Sequence, residues 1–138
     1  MPQPFHLAIP VTNLDDATAF YGTLLGCEQG RSDTQWIDWN FFGHQLVTHC
    51  VNAMPTLPEY NSVDSHAVPV PHFGVVLTMP QWEALAEKVK QANIDFIIAP
   101  YIRFKGEPGE QATMFFTDPF GNALEFKAFA SLSQLFAT

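Results

Sequence analysis

Basic residues and cysteines are scarce in this sequence of 138 residues. Six Lys and Arg stand against 14 Asp and Glu, which gives a formal net charge of −8 at pH 7. A nucleic acid or an anionic membrane needs a basic surface, so neither is expected as a partner. The two cysteines, Cys27 and Cys50, are too few for a disulfide framework, and they form no C-x-x-C pair.

Long apolar runs are also missing. No segment approaches the roughly 20 apolar residues that a membrane-spanning helix needs. The first residues, "MPQPFHLAIPV", lack the charged region and the apolar core of a signal peptide. We therefore expect a cytoplasmic protein. Its apolar fraction of 47% is typical of a globular domain, and a chain of this length can bury a core.

A weak internal repeat is present. "HLAIPVT" (6–12) and "HFGVVLT" (72–78) each begin with a His, continue as an alternating apolar strand and end at a Thr. An amphipathic helix is predicted after each Thr, with capping boxes formed by Thr12 with Asp15 and by Thr78 with Gln81. Gly26 and Asn93 are the expected helix stops.

The two halves also end alike, because "WNFFGHQLVTHC" (39–50) and "TDPFGNALEFKA" (117–128) each contain a turn with Gly followed by a strand. Further strand-like runs lie at 29–32, 35–40, 94–104 and 111–117. Each half is thus read as β-α-β-β-β, and the whole as an α+β fold. We predict a single domain over 1–138, with module one at 1–51, module two at 72–129 and a tail at 130–138. The Pro-rich segment between the modules, 52–71, shows no helical or strand period and is read as a linker or as a loop packed over another part of the protein.

Three polar side chains interrupt the predicted apolar strands. His6, His72 and Glu125 all lie on the strand faces opposite the large apolar residues. If the two halves pair as the repeat indicates, the three face one concavity, and two imidazoles with one carboxylate suit a divalent metal such as Fe(II) or Mn(II). The alternative for each is an ordinary surface or structural residue.

These features resemble the vicinal oxygen chelate superfamily, which includes glyoxalase I, extradiol dioxygenases, fosfomycin-modifying enzymes and bleomycin-resistance proteins. The resemblance covers essentially the whole chain and rests on "FHLAIPVTNLDDATAFYGTLLGC", "HFGVVL" and "FFTDPFGNALEF". It implies two βαβββ modules in tandem, with curled mixed sheets that enclose a metal-binding cleft. It also implies His6, His72 and Glu125 as the metal ligands, with Fe(II) favoured over Mn(II), Zn(II) or Ni(II), and a homodimer.

Departures from the family patterns narrow the expected activity. Glyoxalase I supplies a fourth ligand, a Glu, where this chain has Val47, so lactoylglutathione chemistry is not expected. Extradiol dioxygenases share the triad and the Asp-Pro-x-Gly turn, but their signature Tyr falls on Phe115 and their upstream His has no counterpart in 104–110. An extradiol-type ring-cleaving dioxygenase remains favoured. The alternatives are a metal-dependent transferase, lyase or isomerase, and a non-catalytic small-molecule binding or resistance protein.

Four further residues are candidates for catalysis or substrate binding. His49 is either a general base in the cleft or an exposed edge residue. Tyr101 and Arg103 share one strand face, and Arg103 either binds a substrate carboxylate or phosphate or pairs with Glu107 or Glu110. Lys127 either neutralises a substrate anion or solubilises a strand end.

Two loops complete the prediction. Residues 103–111, "RFKGEPGEQ", are read as an irregular hairpin connection between strands. His66 lies in the Pro-rich linker and is either a lid residue over the site or part of the loop surface. The tail is expected to form one short helix.

Overall fold

The computed structural model describes residues 3–56 and 59–136. The chain forms two compact units. Unit 1 comprises Met1–Leu57 and Asp118–Asn122, and unit 2 comprises Pro58–Thr117 and Ala123–Thr138. Each unit contains one four-stranded sheet with one main helical segment, so the predicted α+β fold is confirmed.

Unit 1 contains one helical segment and four strands. In chain order these are β1 (His6–Val11), α1 (Leu14–Ala17) continued by a π-helical stretch (Thr18–Leu24), β2 (Glu28–Ser32), β3 (Trp36–Phe41) and β4 (His44–Cys50). The strand order is β1-β4-β3-β2, with β1 parallel to β4 and the other pairs antiparallel.

Unit 2 repeats this arrangement after an added hairpin. Its elements are β5 (Glu59–Val63), β6 (His66–Val70), β7 (Val76–Leu77), α2 (Met79–Gln91), β8 (Phe96–Arg103), β9 (Gln111–Thr117), β10 (Ala123–Phe129) and a 3₁₀ turn (Leu132–Gln134). The main sheet has the order β7-β10-β9-β8, again with a parallel first pair. The sequence repeat therefore corresponds to a repeat of topology.

The helix ends follow the local chemistry. Thr78 forms the predicted capping box with Gln81, whereas the box predicted at Thr12 is wrong. There the cap is Asn13, whose extended backbone places its side-chain oxygen 3.0 Å from the amide nitrogen of Asp16. Gly26 and Asn93 follow the two helical segments with φ of 75° and 57°, as expected of helix stops. None of the described helices is long and apolar enough to cross a membrane.

The Pro-rich segment differs from its prediction. Residues 59–70 form the antiparallel hairpin β5–β6, not an irregular linker. Asp64 and Ser65 make its two-residue turn with φ of 50° and 65°, the left-handed values that tight hairpin turns require. Val68 and Pro69 are buried on β6, so packing rather than sequence periodicity holds these strands.

The strand predicted from His72 is also shorter than expected. Only Val76–Leu77 forms a regular strand, and Phe73 makes an isolated parallel bridge to Leu124. The backbone nevertheless follows β10, since the Phe73 amide donates to the Ala123 carbonyl and the Glu125 amide donates to the Phe73 carbonyl. The approach is so close that a Cβ on Gly74 would overlap the Glu125 carbonyl group.

The core of unit 2 lies between its sheet and α2. Phe116 and Phe126 stack there with ring centroids 5.7 Å apart, and the Trp82 indole donates a hydrogen bond of 2.9 Å to the Phe126 carbonyl. These contacts occupy one face of β9 and β10. The residues that alternate with them therefore project from the other face of the sheet.

Candidate metal centre

Strand β10 presents Glu125 on the face opposite the core. Leu124, Phe126 and Ala128 are fully buried, whereas Glu125 and Lys127 between them are partly exposed. This alternation is the one expected from the sequence. On the neighbouring strand β9, Phe115 pairs with Glu125 and Thr113 pairs with Lys127, so these side chains share the same face.

His72 and Glu125 are in direct contact. The His72 Nε2 atom lies 3.1 Å from Glu125 Oε1, with side-chain exposures of 29% and 12%. Two other contacts fix the pair. His72 Nδ1 lies 2.7 Å from the Pro69 carbonyl, and the Thr113 hydroxyl donates to Glu125 Oε2 at 2.5 Å.

These contacts determine which atoms remain available. A carbonyl only accepts, so His72 Nδ1 carries a hydrogen, and its Nε2 faces a carboxylate oxygen. A lone pair on Nε2 would be repelled by that oxygen unless a cation lies with them. That cation is either a proton on Nε2 or a metal ion that both atoms bind, so the donor chemistry fits a divalent metal.

In the metal-free protein, His72 and Glu125 each stabilise the charged form of the other. The hydrogen bond to Glu125 raises the pKa of His72, although burial opposes it. Burial alone would raise the pKa of Glu125, but hydrogen bonds from His72 and Thr113 outweigh burial and bring it below its ordinary value. The ion pair His72⁺–Glu125⁻ is therefore the favoured state at mildly acidic pH.

A cavity of about 260 Å³ adjoins this pair within unit 2. Its lining residues are His72, Phe73, Gly74, Val75, Val76, Glu125 and Lys127. Lys127 brings a positive charge to the cavity wall, and its ammonium group lies 5.7 Å from the centroid of the Phe129 ring. Gly74 lines the cavity through its backbone, and its lack of a side chain lets this segment lie against the Glu125 backbone.

The hairpin β5–β6 contacts the same side of the unit 2 sheet. Val68 packs in a buried cluster with Ile98 and Phe115, and Tyr101 packs against that cluster. The His66 ring lies 5.0 Å from the Tyr101 ring, centroid to centroid. His66 is thus packed against a predicted substrate-binding residue.

Arg103 has a different partner from those considered in the sequence. Its Nε lies 2.5 Å from Asp64 Oδ2 at the hairpin turn. Asp64 lies far from Arg103 in the sequence, on a hairpin that was not predicted. The sequence near Arg103 therefore gave no indication of this ion pair.

In unit 1, His6 belongs to a chain of polar contacts across three strands. His6 Nδ1 lies 2.8 Å from Gln45 Oε1, and Gln45 Nε2 donates to Asp38 Oδ2 at 3.3 Å. Val47, at the position that corresponds to Glu125, is buried between Ala8 and Asp38 in the strand register.

The predicted base, His49, also lies in unit 1. It is exposed on β4 and is paired in register with Pro10 and Trp36. It shares a strand face with Val47. Its role as a general base stays a prediction.

Of the predicted metal ligands, His72 and Glu125 are adjacent in unit 2, and His6 lies in unit 1. Over residues 3–56 and 59–136, no three His, Cys, Asp or Glu side chains form a cluster that could hold a metal ion. The three-residue ligand set thus stays a prediction, supported in unit 2 by two of its members.

Sequence reasoning missed three residues around the predicted ligands: Gln45 bonds to His6, Thr113 bonds to Glu125, and Asp38 bonds to Gln45. Asp38 was detectable, since it is a carboxylate inside the apolar strand "WIDWNF", which is the same signal that identified Glu125. Gln45 and Thr113 carried no such signal, because uncharged polar residues are ordinary in strands. Their contacts depend on the pairing of β1 with β4 and of β9 with β10.

Comparison with known families agrees with this architecture. A profile of the glyoxalase/bleomycin resistance protein/dioxygenase superfamily matches residues 3–126. The chain belongs to this superfamily. No curated protein sequence matches the chain significantly.

Several solved structures of the superfamily have the same fold. A glyoxalase/bleomycin resistance protein/dioxygenase from Alicyclobacillus acidocaldarius is 34% identical, with a TM-score of 0.76 and coverage of 97% of this chain and 96% of that one. The fosfomycin resistance protein FosX from Listeria monocytogenes is 16% identical, with a TM-score of 0.71 and coverage of 97% and 98%. A glyoxalase/dioxygenase from Nostoc punctiforme is 14% identical, with a TM-score of 0.71 and coverage of 94% and 92%.

Proposed function

We propose that this superfamily member is a divalent-metal-dependent enzyme that acts on a small substrate with vicinal oxygens. The metal ligands are His6, His72 and Glu125. The observation that carries the proposal is the contact between His72 Nε2 and Glu125 Oε1, two atoms of metal-binding side chains that lie 3.1 Å apart at the wall of a cavity. His6 enters through its equivalent position in the repeat, and it is supplied by this chain or by a second copy in a homodimer.

Fe(II) is the favoured ion, and it would supply Lewis acidity toward adjacent substrate oxygens and, for a dioxygenase, a position for O₂. The protein side chains supply the remaining functions. Lys127 attracts an anionic substrate oxygen to the cavity. Burial raises the pKa of Tyr101 above its ordinary value of 10, so its phenol is protonated at neutral pH and serves as a hydrogen-bond donor.

The cavity favours a compact substrate. A dry cavity of about 150 Å³ is enough to hold benzene, and the unit 2 cavity measures about 260 Å³. The volume is large enough for a single-ring catechol, whose oxygens would lie toward His72 and Glu125. The reaction proposed for such a substrate is extradiol-type ring cleavage, with His49 as the candidate base.

A second candidate is a metal-dependent transferase, lyase or isomerase that acts on a small oxyanion. Lys127 is the observation behind this candidate, because a cation in the cavity wall can bind the anionic oxygens of a phosphonate or a carboxylate. The fold shared with the fosfomycin resistance protein FosX is compatible with this candidate. A non-catalytic binding protein is the third candidate, and it would bind its ligand without turnover.

The decisive experiment is the metal content of protein purified without chelators or metal-affinity resin, compared with His72→Ala and with a His44→Ala control. About one equivalent of iron or manganese in the wild type and in His44→Ala, but not in His72→Ala, supports the proposed site. Zinc or nickel instead favours the transferase, lyase or isomerase. No metal in the wild type, even after reconstitution, contradicts the metal-dependent function.

Oxygen uptake then separates the reactions. Iron-loaded protein mixed anaerobically with a set of catechols and exposed to O₂ should consume oxygen and form a ring-opened product that absorbs at long wavelength. Binding of metal without oxygen uptake for any catechol would exclude the dioxygenase and leave the second candidate.

A further inference from the structure

We infer that Asp38 and Gln45 are positioning residues that hold the His6 ring in the tautomer that leaves Nε2 free to bind a metal. The inference rests on the proposed function, because it assigns His6 the role of a ligand. It also makes a statement about the metal-free protein that can be tested separately. The three side chains lie on adjacent strands β1, β4 and β3 of unit 1.

The first step concerns the direction of the Gln45 amide. An amide side chain has one accepting oxygen and one donating nitrogen. An ionised carboxylate only accepts, so the Gln45 nitrogen must face Asp38, and the measured contact is 3.3 Å from Nε2 to Oδ2. Reversing the amide would bring two oxygens together. Asp38 thus selects the amide orientation.

The amide orientation of Gln45 fixes the tautomer of His6. With its nitrogen toward Asp38, Gln45 presents Oε1 to His6, 2.8 Å from Nδ1. An amide oxygen can only accept a hydrogen bond, so His6 Nδ1 must carry the hydrogen. A neutral imidazole has a single N–H, and the lone pair is then on Nε2. Free histidine in water favours the opposite tautomer, so the protein changes the balance.

In unit 2, a different contact places the hydrogen of His72 on Nδ1 as well. There the Pro69 carbonyl accepts from His72 Nδ1 at 2.7 Å, so Nδ1 again carries the hydrogen and Nε2 is the atom that faces Glu125. In both equivalent histidines of the repeat an acceptor faces Nδ1, a side-chain amide oxygen for His6 and a backbone carbonyl for His72. A convergent outcome from unrelated contacts is what a shared requirement for Nε2 ligation would produce.

Positioning matters more for His6 than for His72, because His6 is exposed. An exposed ring loses rotational freedom when it binds a metal, and a pre-existing hydrogen bond reduces that cost. Partners of this type around metal-binding histidines typically affect metal affinity by about 10–100-fold.

The test begins with metal-free protein at a pH of about 8, where an unperturbed imidazole is neutral. Nitrogen-15 chemical shifts of the His6 ring report its tautomer. We expect predominantly Nδ1–H in the wild type and in the control Asp16→Asn, which removes one exposed carboxylate from the same unit. Asp38→Asn frees the amide to reverse, so the Nε2–H form should increase several-fold.

A double variant distinguishes positioning from a merely structural role. In Asp38→Asn/Gln45→Glu, donor and acceptor are exchanged: the new amide donates to the new carboxylate, which accepts from His6 Nδ1–H. The double variant should restore the wild-type tautomer, and its metal affinity should lie within about threefold of wild type, whereas Asp38→Asn alone should weaken affinity about 10-fold or more. Affinity is measured by competition with a chromophoric chelator.

The possible failures are distinct. If wild-type His6 is mainly Nε2–H, or if Asp38→Asn changes neither tautomer nor affinity, the positioning role is overturned while the metal site can stand. If the tautomers change as expected but no variant and no wild-type protein binds metal, the hydrogen-bond relay is confirmed and the proposed function is contradicted.

Discussion

Thr113 contributes one hydroxyl group to unit 2, and that group decides which oxygen of Glu125 is available. It donates to Oε2 at 2.5 Å and leaves Oε1 beside His72. Replacing Thr113 by Val keeps the shape and removes the donor. We expect Thr113→Val to lower the free energy of unfolding by about 1–3 kcal/mol, measured by urea titration, because the bond is to a charged group.

The same substitution should weaken metal binding about 10-fold or more, because Glu125 can then turn both oxygens away from the orientation held in the native site. Thr113→Ser is the matched control, since it retains the hydroxyl and loses only a methyl group. Equal losses of metal affinity in both variants would show that the methyl group, not the hydrogen bond, matters.

The ion pair between His72 and Glu125 predicts a specific pH dependence for the metal-free protein. A raised pKa in the folded state makes the contribution of His72 complete below its ordinary value of 6.5 and removes it as pH rises through the raised value. The lowered pKa of Glu125 makes its contribution complete above 4.5 and removes it as pH falls through the lowered value.

The pair should therefore stabilise the fold most between those two ordinary values. In urea titrations with chelator present, Glu125→Gln should be destabilised relative to wild type by up to roughly 1 kcal/mol near pH 5.5. The difference should shrink as the pH is raised above the His72 pKa. A difference that grows with pH would mean that the two side chains are not paired as charges.

At the residue scale, charge inside an apolar strand was the useful sequence signal. It identified Glu125, and the same criterion applied to "WIDWNF" would have identified Asp38. The contacts of Gln45 and Thr113 depend on strand register, which the sequence does not encode locally. The ion pair of Arg103 could not be predicted either, because Asp64 lies on a hairpin whose composition is typical of a loop.

At the scale of elements, Gly74 determines how closely the segment after His72 can follow β10. A Cβ there would overlap the carbonyl group of Glu125, and backbone atoms cannot move aside cheaply. Gly74→Ala should therefore lower the free energy of unfolding by about 1–3 kcal/mol or more, and it should weaken metal binding by displacing both His72 and Glu125.

Gly30→Ala is the control for this prediction. A Cβ at Gly30, also within a strand region, would meet Asp38 Cβ at 3.4 Å, an ordinary contact. Its stability should stay within about 1 kcal/mol of wild type. If Gly74→Ala is equally mild, the segment after His72 moves more freely than its backbone hydrogen bonds imply.

Elements were predicted best where local chemistry and periodicity agreed. The alternating strand from His6 and the capping box at Thr78 are both present. The hairpin β5–β6 was missed because its prolines and polar residues hide any alternation, although the Asp64–Ser65 turn was a usable signal. Packing of Val68 against Ile98 and Phe115 supplies what the pattern lacks.

At the scale of the whole molecule, a metal that binds only the folded state must stabilise it. At a free metal concentration about 100 times the dissociation constant, the gain is about 2.7 kcal/mol. For a chain of this size, this corresponds to a rise in Tm of roughly 5–10 °C. The measurement is a thermal scan with and without Fe(II) under anaerobic conditions, or with Mn(II).

Two variants make that prediction specific. His6→Ala and Glu125→Gln should each lose most of the rise, whereas His44→Ala should keep it. A rise that survives His6→Ala would assign the metal to unit 2 alone and remove His6 from the ligand set.

The repeat predicted the β-α-β-β-β order of both halves, although not the added hairpin β5–β6. Equivalent openings and closings of the two halves gave the same strand order in both units, β1-β4-β3-β2 and β7-β10-β9-β8. The chemistry of the turns matches as well, since Gly43 and Gly121 have φ of 89° and 91°. The hydrogen-bonded surroundings of each ligand differ between the units, so repetition could not predict them.

Five residues break the symmetry of this arrangement. Asp118–Asn122 belong to unit 1, although their sequence neighbours on both sides belong to unit 2. Buried Asp118 accepts a hydrogen bond of 2.7 Å from the fully buried Tyr21 hydroxyl, and Asn122 donates to the Pro10 carbonyl. Without Asp118 the buried Tyr21 hydroxyl would lose this acceptor, which would lower the free energy of unfolding by about 1–3 kcal/mol.

Because residues of the second module complete unit 1, neither module can be exchanged independently of the other. A recombination event that exchanged residues 59–136 for the second module of a relative would also replace part of the interior of unit 1. Only donors with a compatible Asp-Pro-x-Gly-Asn turn could satisfy Tyr21 and the Pro10 carbonyl. Residues from both halves of the sequence thus complete the interior of unit 1, even though each half forms its own sheet.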